Sequence, residues 1–258
     1  MKNKVVENNK GQVTLFIIIA LVVVALGILI YLFFPKIKTA LVSQTESPEL
    51  FIQQCLEPSI KSAVQTLALQ GGNLEPELYI IYEGKKVGYT CYTEEYYKTC
   101  VVQQPMLIRH IQNEIETNIK NKVTSCFDDL EKNYQQKGYT VNLQHGTFVV
   151  ELMPKRIVLT STDSLTLTKT NTDKYDKFNV VLNNNLYELT SIANSITEWE
   201  TRYGDAETTS YMTYYKDLKV EKKLQQDGTK IYILTDRNNG NKFQFASRSV
   251  VLPPGYGV

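Results

Sequence analysis

Four cysteines, Cys55, Cys91, Cys100 and Cys126, are the residues of this chain best equipped for covalent chemistry. Thiols in even number can close as disulfides or hold a metal, and spacing separates the two. Structural zinc sites present cysteines in close pairs, about two to four residues apart. No such pair exists here, and the nearest two, Cys91 and Cys100, stand nine apart. Disulfides are therefore expected, and with them a compartment outside the reducing cytoplasm. Of the three connectivities that four cysteines allow, Cys91–Cys100 and Cys55–Cys126 are favoured. The first pair flanks one short loop; the second falls on the apolar stripes of two predicted helices. Closing loops of about 10 and about 72 residues stabilises by about 2.5 and about 4.4 kcal/mol through lost unfolded-state entropy.

The other reactive types are sparse. His110 stands beside Arg109 on a predicted helix, and His145 sits in the Gln144-His145-Gly146 turn. Each reads as a solvated residue rather than a general base. No Gly-x-Ser-x-Gly, His-Glu-x-x-His, phosphate loop or Cys-x-x-Cys occurs. No catalytic residue, metal ligand or cofactor-binding residue is assigned. A glycosidase needs paired carboxylates, and Asp128-Asp129 and Glu198/Glu200 are the pairs on offer. Neighbours on a helix point different ways, and Glu198 and Glu200 read as a solvated helix face. Asp236-Arg237-Asn238-Asn239-Gly240-Asn241 has the flavour of a calcium loop. Its glycine comes one place early, and Ser247 stands where the bidentate Glu is required. A hairpin turn is the better reading. Tyr79, Tyr82, Tyr89, Tyr92, Tyr96 and Tyr97 form the candidate interaction feature. Aromatic faces with polar tips suit contact with protein or sugar; the plainer reading has these rings covering the two helices and the disulfide.

The elements that must position these residues follow from periodicity. Ser47 and Pro48 open a helix over 48–70, with Phe51, Ile52, Cys55, Leu56, Ile60, Ala63, Val64 and Leu67 as its apolar stripe. Pro58 should kink it and Gly71-Gly72 end it. Residues 73–104 read as irregular or weakly extended. A second helix over 105–134 carries Ile108, Ile111, Ile115, Ile119, Val123, Cys126 and Leu130 at helical spacing. From Tyr139 the period becomes two, with strands at 139–144, 147–152, 155–160, 164–170 and 177–182. A third helix over 184–202 points Leu186, Leu189, Ile192, Ile196 and Trp199 inward. A meander of strands at 218–225, 229–235 and 241–247 turns at Asp227-Gly228 and Asn239-Gly240.

Ahead of this domain, residues 13–34 read VTLFIIIALVVVALGILIYLFF. As a helix the run spans about 33 Å, enough to cross a bilayer. It is too long for a cleavable secretory signal and lacks a small-residue cleavage site. Lys2, Lys4 and Lys10 precede it against Glu7, so the leader is expected on the cytoplasmic side and the domain outside. The resulting layout is a leader at 1–11, a transmembrane helix at 12–34, a stalk at 35–47 and an extracytoplasmic α+β domain at 48–258. That domain divides into a helical part at 48–136 and a mainly β part at 137–258, with three helices packed on antiparallel sheet.

The junction Lys10-Gly11-Gln12-Val13-Thr14-Leu15-Phe16 resembles the class III signal peptide of archaeal type IV pilin-like proteins. The resemblance covers about 25 residues. It implies cleavage by a prepilin peptidase after Gly11, leaving Gln12 as the mature N-terminus with the apolar segment retained. Phe16 stands where many pilins carry Glu, and Pro35 interrupts what would be one long helix. More loosely, the layout resembles single-pass surface proteins of small-genome archaea, with the FIQQCL helix, LQGG, the Tyr/Cys-rich loop and the terminal FQFASR.

Net charge is +1, with 28 basic and 27 acidic residues interspersed, so nucleic-acid binding has no electrostatic footing. No Asn-x-Ser/Thr sequon is present. The sequence therefore points to a membrane-anchored cell-surface protein without evident catalysis, such as a pilin-like structural subunit. A ligand-binding or sensor ectodomain is the alternative, and an anchored envelope enzyme a weaker one. The expected partners are the lipid bilayer, a prepilin peptidase, and further copies of the chain or other envelope proteins. Mass spectrometry of the native N-terminus should find Gln12, and a bulky residue at Gly11 should block processing. An intact Met1 or Lys2 terminus would reject the pilin-like assignment.

Overall fold

The structure, a computed structural model, describes residues 18–26 and 47–251 and divides the chain into two units, Met1–Ser47 and Pro48–Val258. In the first unit, residues 18–26 form a helix (α1) whose side chains are all exposed. Among the described residues no helix is long and apolar enough to cross a membrane. The expected transmembrane helix over 12–34 is corrected on that finding. Gly11, Gln12 and the stalk up to residue 46 lie outside the described residues.

The second unit opens with α2, Pro48–Leu69. Ile52, Leu56, Ile60, Ala63, Val64 and Leu67 are buried along one stripe, as the spacing requires. Pro58 sits inside α2 without ending it. Pro58 is exposed, and the carbonyl whose partner it removes belongs to exposed Gln54, where water can serve it. After α2 come β1 (Tyr79–Tyr82), β2 (Lys85–Tyr96) and β3 (Val101–Val102). Then α3 runs Leu107–Gln136, followed by β4 (Thr140–Gln144), β5 (Phe148–Met153), β6 (Arg156–Ser161), β7 (Ser164–Thr168), β8 (Thr172–Tyr175) and β9 (Phe178–Asn183). The chain continues through α4 (Leu186–Tyr203), α5 (Thr208–Tyr214), β10 (Leu218–Leu224), β11 (Thr229–Asp236) and β12 (Lys242–Val250).

Three sheets result. One is six-stranded, ordered β1-β2-β12-β11-β10 with β3 also on β2. Two are three-stranded, β4-β7-β8 and β5-β6-β9. All pairings are antiparallel except β2 with β12, which is parallel. The α+β class therefore holds, while "three helices on antiparallel sheet" becomes four helices in the second unit and a mixed principal sheet. β2, from residues 48–136, pairs with β12, from residues 137–258.

The missed elements share a cause. β2 buries Val87, Gly88, Tyr89, Thr90 and Cys91 consecutively. A strand covered on both faces shows no alternation in sequence. α5 buries no residue and so carries no apolar stripe; its start is fixed by Glu207, whose carboxylate accepts from the Thr209 amide at 2.7 Å.

One apolar core runs through α2, α3, α4, the small sheets and one face of β10, β11 and β12, with Tyr232, Leu234, Phe243 and Phe245 at its sheet side. The other face of the large sheet carries a second cluster, Val87, Tyr89, Ile231, Ile233 and Ala246. The end of α2 meets the sheet by direct backbone contact: the Gly71 amide donates to Gln244 at 2.9 Å and the Gly88 amide to Gln70 at 3.2 Å. A Cβ on Gly71, which has φ +73°, would lie 2.6 Å from the Gly88 carbonyl oxygen. Only glycine permits both that backbone angle and that approach.

Both expected disulfides are present. Cys55–Cys126 joins α2 to α3 with Cα atoms 6.0 Å apart, and Cys91–Cys100 joins β2 to the segment before β3 at 5.4 Å. Replacing Cys55 and Cys126 together by Ala should lower unfolding free energy by about 4 kcal/mol, against about 2.5 kcal/mol for Cys91 with Cys100. Denaturant melts of the two double variants check the order, and a larger loss from the short loop would contradict it.

Candidate functional site

The second unit carries an open cleft of about 1530 Å³. Its floor is the Asn183-Asn184-Asn185 segment between β9 and α4, and its far end is the β11–β12 turn with Asp236, Asn238, Asn239 and Asn241. Tyr211, Tyr214 and Tyr215 of α5 and its end form the aromatic wall. Lys61 and Glu57 enter from α2.

The amides are held in place by one another. Asn185 donates to Asp236 Oδ2 at 2.6 Å, and Asn241 donates to Asn185 Oδ1 at 2.7 Å. Asn239 donates to the same Asp236 oxygen at 3.1 Å, and the Asn238 amide to Asp236 Oδ1 at 2.8 Å. The acidic loop therefore spends its carboxylate on its own turn and on α4's N-terminal boundary, as an Asx turn does. This is the hairpin turn expected over 236–241.

On the opposite wall, the Tyr211 hydroxyl pairs with Ser195 Oγ at 2.8 Å. Burial raises the Tyr211 phenol, and the Ser195 hydrogen bond opposes that rise. Tyr214 is 80% exposed and meets Tyr215 edge-on at 4.8 Å. Glu188 accepts from the Lys155 amide at 2.8 Å through Oε1, while its buried Oε2 has no hydrogen-bond partner among the described residues.

A second polar cluster lies inside the core. Glu200, expected on a solvated helix face, is fully buried, and Trp199, expected inward, takes the exposed place at 48%. The Glu200 carboxylate accepts from Lys230 Nζ at 3.0 and 2.7 Å, from the Tyr232 hydroxyl, and from Ser247 Oγ at 3.2 Å. Lys230 Nζ also donates to the Gly204 carbonyl and lies 3.4 Å from Asp205. Burial raises the Glu200 carboxyl, opposed by the Lys230 ammonium and by hydrogen bonds from Lys230 and Tyr232. Burial first, then the Glu200 charge, raises the Tyr232 phenol. Sequence alone held one signal for this: Lys230 and Tyr232 stand two apart, on one face of a strand whose other central residues, Ile231, Ile233 and Leu234, are apolar.

The tyrosines expected to cover the helices lie elsewhere. Tyr89 packs in the second-face cluster, with Tyr82 and Tyr92 against it. Tyr89 meets Tyr92 edge-on at 4.9 Å and shares a hydrogen bond with Thr229 at 2.9 Å. Tyr79, Tyr96 and Tyr97 are 40%, 53% and 67% exposed. Arg248 lies over Tyr92 and Tyr96, and Lys86 over Tyr79, contacts of cation–π type.

Neither histidine is simply solvated. His145 Nδ1 and Nε2 each lie 3.2 Å from a carboxylate, Asp163 and Asp128, tying the β4–β5 turn to α3. His110 Nε2 pairs with Asn73 Oδ1 at 2.7 Å and Nδ1 with Gln104 at 3.3 Å. Among the described residues no group of three or more His, Cys, Asp or Glu is arranged to hold a metal ion.

Glu200→Gln should cost about 3 kcal/mol, because it leaves the buried Lys230 ammonium with the half-exposed Asp205, 3.4 Å away, as its remaining carboxylate among the described residues. Adding Lys230→Met should return much of that loss. Urea melts measure both, and a single variant within about 1 kcal/mol of wild type would refute the buried pair. Comparison with known proteins adds no relative: no family model, no curated protein and no solved structure matches the chain.

Proposed function

We propose that this protein is an exported recognition domain, which binds an extracellular ligand in the asparagine–tyrosine cleft. The hydrogen-bonded chain Asn241–Asn185–Asp236 carries the reading, since it presets polar groups in a concavity before any ligand arrives. Two disulfides support export. The serines lining the cleft serve structure: Ser195 pairs with Tyr211, and Ser191 donates to the Tyr187 carbonyl at 2.8 Å. Neither has a histidine to activate it, so binding without transformation is the activity proposed. The pilin-like subunit remains the second reading, carried by the Lys10-Gly11 junction alone.

Hydrogen exchange on the full-length chain checks the cleft. Material from the cell exterior, separated into polysaccharide and protein fractions, should slow exchange across 183–195, 211–217 and 236–241. Unchanged exchange in those segments with every fraction would end the binding reading.

A further inference from the structure

We infer that the cleft takes a neutral oligosaccharide; this rests on reading the cleft as the ligand site. The first argument is charge. Four carboxylates, Glu57, Glu188, Asp217 and Asp236, are interspersed there with three lysines, Lys61, Lys155 and Lys216. A site for an anion or a cation concentrates one sign, and this one does not.

The second argument is the donor–acceptor inventory. Each asparagine amide offers an acceptor oxygen and two donor hydrogens. Adjacent hydroxyls on a sugar ring need the same alternation. Asn185 and Asn241 are fixed by their mutual hydrogen bond, so their remaining positions point with little freedom.

The third argument is the wall. The Tyr214 ring is 80% exposed yet braced by Tyr215. A rigid ring with an open face presents an apolar plate, which the C–H face of a pyranose matches. A protein partner would require a fully desolvated apolar centre. In the cleft Leu182, Leu189 and Leu218 are instead buried in the core, and beside the tyrosines Val181 is the exposed large apolar side chain.

The test is an array of neutral, N-acetylated and acidic oligosaccharides probed with the full-length chain, its Tyr214→Ala and Tyr214→Phe variants, and a control, Val101→Ala. Val101 is exposed on β3, outside the cleft. Neutral glycans should bind wild type, Tyr214→Phe and Val101→Ala alike, with Tyr214→Ala about tenfold weaker. Circular dichroism of each variant shows that it is folded. Binding restricted to acidic glycans, or equal in Tyr214→Ala, would overturn the inference. No glycan bound, with cleft exchange slowed by the extracellular protein fraction, would also overturn it and leave the recognition reading standing. No glycan bound and no protection by any fraction would remove both.

Discussion

The Glu200 carboxylate is the point on which the large sheet and its helices are assembled. It arises from α4, yet its partners come from β11 and β12. The α4 end is carried into the same network by the Gly204 carbonyl, which Lys230 also bonds. Ser249 extends it, donating to the Glu200 carbonyl at 3.2 Å and accepting from the Cys100 amide at 3.1 Å. Thus the Cys91–Cys100 bridge, the parallel β2–β12 pairing and the α4 terminus converge on one buried group. A buried ion pair adds little stability against an apolar replacement, but it penalises arrangements that separate its members. Only a helix seated with Glu200 over Lys230 avoids leaving a bare charge in the core.

The large sheet is covered on both faces, by different means. Helices cover one face through Tyr232, Leu234, Phe243 and Phe245. The other is covered by side chains of the sheet itself, with Tyr82 and Tyr92 over Ile231, Ile233 and Val87. Phenol rings suit that place because their faces exclude water while their hydroxyls stay wet. The tyrosines that looked like a recognition surface are thus in part a lid on the sheet. A different group, at the end of α5, lines the cleft.

The cleft itself is a product of tertiary assembly. Asn183-Asn184-Asn185 and Asn238-Asn239 are ordinary turn sequences, read separately as loop and hairpin. They become one surface where the segment after β9 meets the end of β11, Asn185 donating to Asp236. The hydrogen bond between Asn185 and Asp236 spans 51 residues of sequence, and periodicity carries no information across that distance.

What the sequence by itself determined is local and periodic. The stripes of α2 and α3, that of α4 apart from Trp199, and the alternation of β4 to β7 and β9 were legible, because burial of one face imposes a period; β11 and β12, buried on both faces, were legible from their Asp-Gly and Asn-Gly turns. The pairing of Cys55 with Cys126 was legible for the same reason, both lying on inward stripes. The tertiary structure alone decided what has no period: the doubly buried β2, its parallel partner β12, the unstriped α5, and the fate of Glu200. That carboxylate looked solvated because acidic side chains almost never go inside unpaired. Its partners Lys230, Tyr232 and Ser247 come to it only when the sheet closes beneath α4.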